Sequence, residues 1–378
     1  MKALSLFSAA AVTLAGAVAA AGAPLTFPSS AGPLAVETFA TGLVRPWSLA
    51  FLPGGQVLVT ERPGRMRIVS HDGKLSPPVS GLPKIYAYDQ VGLADVVLDR
   101  DFGTSRTIYF CFTEPTGRGG NVALARARLD DEGGPRLEEV KILFRQEGPV
   151  STGLNMGCRI AQAADGDIFL TLGDHYYNRN DAQNLGNHIG KIVRLRPDGA
   201  VPDDNPFVGR AGAKPEIWST GHRNPQGLMF HPQTGKLWEH EHGPRGGDEI
   251  NIIAKGRNYG WPVIGYGIDY SGARIHESTH TEGMEQPLRH WTPSIAPSGM
   301  TFYDGDLFPA WRGNLFIGSL ERKMLLRLEL DGAALGREER LLRGFPDRIR
   351  DVRQGPDGAL WLVTDSSAGR ILRVVPAR

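Results

Sequence analysis

Trp47-Ser48-Leu49-Ala50-Phe51-Leu52-Pro53-Gly54-Gly55-Gln56-Val57-Leu58-Val59-Thr60, continued by Arg65-Met66-Arg67-Ile68-Val69, is the stretch that decides the fold. It reads as a strand, a Pro-Gly turn, a second strand and a third: β-branched and aromatic runs bounded by turn residues. The module recurs. Its second copy holds Gly92–Asp99, Thr107–Thr113 and Val122–Arg126, and its third Cys158–Ala161, the Asp165-Gly166 turn, Ile168–Gly173 and Lys191–Leu195. The fourth holds Gln226–Pro232, Gly235–His240 and Glu249–Ile253, and the fifth Ser298–Tyr303, Asn314–Gly318 and Leu325–Leu328. The sixth holds Ile349–Arg353, the Pro356-Asp357-Gly358 turn, Leu360–Thr364 and Arg370–Val374. A single such sheet cannot bury both of its faces, whereas radial stacking of six does so and leaves few open edges. The expected fold is therefore all-β, a six-bladed β-propeller forming one domain over residues 34–378; a pair of β-sandwiches is the competing arrangement. The segments 174–190, 196–221 and 254–292 are too polar and too rich in Gly and Pro for core, and long loops of this kind carry sites.

Composition agrees. The 378 residues include 48 Gly and 27 Pro, which suits many short strands and turns. Lys and Arg number 42 against 41 Asp and Glu, intermixed along the chain, so neither nucleic acid nor an anionic membrane surface is an expected partner. Residues 1–23 start with Met1-Lys2, continue as a short apolar run and end in small residues, the pattern of a secretory signal peptide; a membrane anchor is the alternative. No later stretch is long and apolar enough to insert in a bilayer. The expected location is periplasmic or secreted. In such a compartment Cys111 and Cys158 could pair, or stay as two buried thiols.

Three motifs carry chemistry. Gly221-His222-Arg223-Asn224-Pro225-Gln226-Gly227 packs a guanidinium, two amides and an imidazole into a turn entering a strand; Arg offers paired donors to a carboxylate or quinone oxygen. Glu241-His242-Gly243-Pro244-Arg245-Gly246-Gly247-Asp248-Glu249, followed by Asn258-Tyr259-Gly260-Trp261-Pro262, combines carboxylates with backbone carbonyls freed by Gly and Pro, the hard-oxygen set calcium prefers. A surface loop laced by salt bridges would share that composition. Arg348 and Arg350 open the last copy, and period two puts them on one side of a strand, facing an anion or lying on an exposed basic edge.

Together these motifs, with Ala296-Pro297-Ser298-Gly299-Met300 and Gly318-Ser319-Leu320, resemble the soluble quinoprotein sugar dehydrogenases, the aldose and glucose/sorbosone dehydrogenase family that uses pyrroloquinoline quinone (PQQ) and calcium. The resemblance runs from Arg45-Pro46-Trp47 to Arg370-Ile371. It implies oxidation of an aldose-type sugar at C1 to the lactone, with an external electron acceptor. It implies PQQ contacts at Gln90, Arg223, Asn224, Arg348 and Arg350. Gly243 and Pro244 match the carbonyls that ligate the PQQ-bound calcium, and Glu249 and Tyr259 match a structural calcium site. Asp174 matches the aspartate that holds the catalytic base.

The sequence departs from that pattern in two places. In Asn155-Met156-Gly157-Cys158-Arg159, Asn155 stands where the family has its basic histidine, and a neutral amide cannot accept the hydroxyl proton. Glu321 stands where the family places a lysine near PQQ, which implies repulsion of an anionic cofactor. His175, next to Asp174, could supply a relocated base or be a loop histidine. Two other functions compete: a calcium-binding propeller that binds a small ligand or carbohydrate without catalysis, and a calcium-dependent lactone hydrolase.

Overall fold

The computed structural model describes residues 24–377 except 118, 149 and 151. The expected signal peptide, residues 1–23, lies outside the described residues. Strands dominate, and helix is confined to three short turns. They form six antiparallel sheets. Going round the ring, the innermost strands are Pro46–Phe51, Leu93–Leu98, Gly157–Gln162, Pro225–Phe230, Pro297–Phe302 and Ile349–Gln354. Each packs against the next, and the sixth returns to the first. The six copies read from the sequence are the six blades of a β-propeller.

The physical reason is visible in the core. Six apolar clusters exist among the described residues, and each lies between two neighbouring blades. Blades 2 and 3, for example, interleave Tyr109, Cys111 and Leu124 with Ile160, Leu170 and Val193. Every sheet is thus covered on both faces. The second strands accordingly read as buried throughout rather than alternating, as in Val57–Glu61, Ile168–Leu172, Leu237–Glu241 and Leu360–Thr364.

Closure uses a segment that the repeat pattern left unassigned. Leu25–Phe27 and Leu34–Leu43 add to the outside of blade 6, with Val36 paired to Val374 and Leu34 to Pro376. The last sheet therefore contains both ends of the described chain. A disulfide joins Cys111 of blade 2 to Cys158 of blade 3, which settles the question left open by the sequence. No helix among the described residues is long and apolar enough to cross a membrane.

Every innermost strand begins with a break in register: Pro46/Ser48, Leu93/Val96, Gly157/Ile160, Pro225/Gly227, Pro297/Met300 and Ile349/Asp351. A bulge turns a strand and re-aims its side chains. Six bulges at one end of the ring give the axis six points where polar residues can turn inward.

Candidate functional site

Trp47, Gln226 and Arg350, each at one of those bulges, line an axial cavity of about 160 Å³ together with residues of the adjoining loops. Gln90, Asn155, Arg223, Asn224, Arg348 and Arg350, all named from the sequence, line it together. So does Arg62, making four guanidiniums around one space with Asp365 the only carboxylate. Asp365 lies 3.4 Å from Arg348 and 3.5 Å from Arg350. Burial, followed by repulsion from Arg348 and Arg62, pushes the Arg350 guanidinium down to about 10, although Asp365 pulls the other way. Burial also lowers Arg62, with Arg45 and Arg348 adding repulsion. A cavity with this imbalance is built for an anion.

Neighbouring side chains fix the donors. Arg350 donates to Gln226 Oε1 at 3.0 Å, and the Gln226 amide donates to Asn224 Oδ1 at 3.0 Å. Asn224 Oδ1 also accepts the Gly157 N–H. Arg223 donates to the carbonyls of His242 and Gly243 at 2.9 and 2.8 Å, and its guanidinium lies 5.4 Å from the Trp261 ring centre. Burial first, and nearby Arg350 and Arg223 after it, hold the His242 imidazole near 3, so it is neutral. It bonds through Nε2 to the Pro297 carbonyl at 2.7 Å.

Asn155 sits beside this cluster with φ of +47°, a left-handed conformation that Asn tolerates. Its amide donates to Asp174 Oδ1 at 2.9 Å, while Trp261 Nε1 donates to Asp174 Oδ2 at 2.9 Å. Gly173 permits the approach, since a Cβ there would lie 1.9 Å from the Asn155 carbonyl oxygen. Burial raises the Asp174 carboxyl above the usual carboxylate range, against the opposing pull of Arg223. Asp174 also lines a second cavity of about 320 Å³ with Tyr176, Tyr177 and Arg179, and Arg223 and Tyr270 border both cavities. His175 is buried, bonds to Gln146 Oε1 and lines neither.

Beneath the cavity the axis is closed by a charge-balanced plug. Arg159 reaches Asp95 at 3.2 Å and Asp351 at 3.1 Å, and Arg353 reaches the same two carboxylates at 3.1 and 3.0 Å. Trp47 separates plug from cavity, with Arg159 stacked 4.2 Å from its ring centre.

The comparisons with known proteins agree with this geometry. A family model described as Glucose / Sorbosone dehydrogenase matches residues 43–373. The chain belongs to that family. The aldose sugar dehydrogenase YliI of Escherichia coli (strain K12) is 44% identical over 346 residues, covering 90% of this chain and 92% of that protein. A crystal structure of a glucose dehydrogenase superposes with a TM-score of 0.88 at 50% identity, covering 91% of this chain and 99% of that one. The PQQ-bound aldose sugar dehydrogenase of Streptomyces coelicolor matches at TM-score 0.75 and 28% identity, over 90% of this chain and 98% of that one.

The oxygen-rich motif borders a cavity neighbouring the axial one, with Arg223 and His242 common to both. Gly243, Pro244, Glu241, Glu249 and Tyr259 border a cavity of about 20 Å³, room for a single ion or water. The Gly243 oxygen already accepts from Arg223, which leaves its second lone pair. A side chain at 243 would collide with the Gly246 oxygen at 2.2 Å, so this loop depends on glycine. Only the carbonyl of Tyr259 is available, because its hydroxyl donates to the Ile252 carbonyl and accepts the Ala254 N–H. Glu321 is exposed and lies outside the arginine cavity, in the cleft that also borders Gly243 and Pro244. That cleft adjoins the arginine cavity, since His242, Tyr270 and Ala296 border both.

Sequence reading missed Arg62 and Asp365, and quoted Trp47 and Trp261 without giving either a role at the site. Arg62 is in Glu61-Arg62-Pro63-Gly64, which looks like any surface turn. Its one signal was position, since it precedes a Pro-Gly turn at the same end of blade 1 as Arg45 and Trp47.

Proposed function

We propose that this chain is a PQQ- and calcium-dependent aldose sugar dehydrogenase that oxidises C1 of a cyclic aldose to the lactone, outside the cytoplasm. The observation that carries this reading is the set of four arginines facing one aspartate on the axis. PQQ is a planar tricarboxylate, and this donor set fits it: Arg62, Arg348 and Arg350 would take carboxylates, and Gln90, Arg223 and Asn224 the quinone oxygens. Gly243 and Pro244 would hold a calcium ion at the quinone edge, and Glu249 with the Tyr259 carbonyl a structural one. When bound, PQQ supplies the acceptor for the hydride that leaves C1.

The chain's own task is the hydroxyl proton. Asn155 has no usable basic group, so the proton goes to Asp174, the carboxylate facing the adjoining sugar-sized cavity. One Asp174 lone pair remains after its bonds to Asn155, Tyr176 and Trp261. Its raised pKa makes it a stronger base than an ordinary aspartate. Arg223 and Trp261 hold it beside the axial cavity, and the overall step leaves a lactone, a protonated Asp174 and a two-electron-reduced cofactor for an external acceptor.

The test is to add PQQ and calcium to purified protein, follow binding by absorbance, and then follow dye reduction with a panel of aldoses. Binding with sugar-dependent dye reduction supports the proposal. No PQQ binding sinks it. Tight binding without turnover would instead support a ligand-binding propeller, the reading that Asn155 favours.

A further inference from the structure

Blade 4 buries three carboxyl groups, Glu239, Glu241 and Glu249, and no Lys or Arg side chain forms an ion pair with any of them among the described residues. Glu239 and Glu241 lie on one face of its second strand, and the next strand places Asn251 opposite Glu239 and Glu249 opposite Glu241. Glu239 is fully buried and Asn251 nearly so. Blade 1 shows how this fold normally treats such a group. Glu61, at the same strand position as Glu241, is buried against Arg65 at 2.8 Å and Arg67 at 3.3 Å. Among the described residues, neither Glu239 nor Glu249 has a Lys or Arg within ion-pair distance, and Glu241 has only His222.

The unmet groups are of one kind. Glu239 Oε2 accepts from the Asn251 amide at 3.2 Å, but Glu239 Oε1 and Asn251 Oδ1 have no partner. Both are buried acceptors. Glu239, Glu241 and His222 each present a ligand atom within 4.8 Å of the other two. His222 Nε2 is 2.9 Å from Ser219 Oγ, which leaves Nδ1 facing Glu241 Oε1 at 3.4 Å. A second-sphere hydroxyl on one ring nitrogen with the other directed at carboxylates is how a metal-ligating imidazole is held.

We infer that His222 Nδ1, Glu239, Glu241 and Asn251 form a buried site for a divalent transition-metal ion such as Zn²⁺ or Mn²⁺. The mixed imidazole and carboxylate set suits these ions, whereas calcium takes oxygen ligands alone. The site adjoins the cavity bordered by Glu249 and Tyr259: Glu241 lines that cavity too, whereas Glu239, His222 and Asn251 do not. It connects to the axial site through Glu241. The other oxygen of Glu241 accepts the backbone N–H groups of Arg223 and Asn224, so an ion here would fix the turn that carries both residues.

The experiment is metal analysis of the full chain, stripped and then reloaded with Ca²⁺ together with Zn²⁺ or Mn²⁺. Wild type is expected to hold one transition-metal ion beyond its calcium. Glu239→Gln should lose that ion and keep calcium, Glu249→Gln should do the reverse, and Ser219→Ala should weaken the transition metal about 10–100-fold. No transition metal in wild type overturns the inference, as does loss of the same single ion in both glutamate variants. If Glu239→Gln does not fold, anomalous diffraction from zinc-soaked wild-type crystals decides. A peak between His222 and Glu239 supports the site, and a water there refutes it. PQQ binding is not part of any of these readouts, so they stand or fall separately from the dehydrogenase proposal.

Discussion

Asn155 Nδ2 donates a hydrogen bond to Asp174 Oδ1 at 2.9 Å, so a neutral amide faces a buried carboxylate at the position where the sequence resemblance implies an imidazole. An amide in that position can orient a carboxylate but cannot relay a proton. In the proposed mechanism the base role therefore falls to residue 174.

Asp174→Asn should therefore lower kcat by about 10²–10⁴-fold, while Asn155→Ala lowers it much less. The base must be ionised to work. Since burial raises its pKa, the acidic limb of kcat should lie above the ordinary aspartate range and rise with pH. Asn155→His should replace that limb with one of histidine character. Steady-state rates across pH, with dye as acceptor, check all three.

Arg62→Ala and Arg350→Ala should each weaken PQQ by roughly tenfold or more, and binding should fall with added salt in wild type less steeply than in a surface-charge interaction. Absorbance titration at two ionic strengths measures both effects. Unchanged affinity in Arg62→Ala would remove that residue from the anion site.

Arg159→Ala leaves Asp95 and Asp351 buried with only Arg353 between them. Breaking a buried network this way typically costs about 3–5 kcal/mol, visible as a lower urea midpoint. Arg159→Lys should recover only part of the loss, since a single ammonium cannot span both carboxylates and stack on Trp47.

The Cys111–Cys158 bond closes a segment of 47 residues. A loop of that length corresponds to about 4 kcal/mol of chain entropy, so reduction, or Cys111→Ser with Cys158→Ser, should lower the melting temperature clearly. Calorimetry with and without reductant tests it.

The blades were legible because each carries its own strand lengths and Pro, Asp or Gly turn, which are local signals. Ring closure was not, because Val36 meets Val374 across nearly the whole chain and neither residue announces the pairing. The axial site divides the same way. Arg223, Asn224, Arg348 and Arg350 stand in dense polar motifs at strand entries, whereas Arg62 and Asp365 acquire meaning only when the bulges bring different blades to one axis. Glu239 is a third case. Flanked by Trp238 and His240 it looks like an alternating strand with a wet face, but both faces of that strand are covered by neighbouring blades.

Leu34–Leu43 is made long before Gly369–Pro376, yet the two strands are hydrogen-bond partners, and Leu25–Phe27 pairs in turn with Leu34–Leu43. A growing chain can complete its middle blades in order of synthesis, but its anion pocket must wait for Arg348 and Arg350 on the last one. Anion binding therefore depends on closure of the ring as a whole, through the sheet that Leu34–Leu43 shares with Gly369–Pro376, and not on the folding of any one blade.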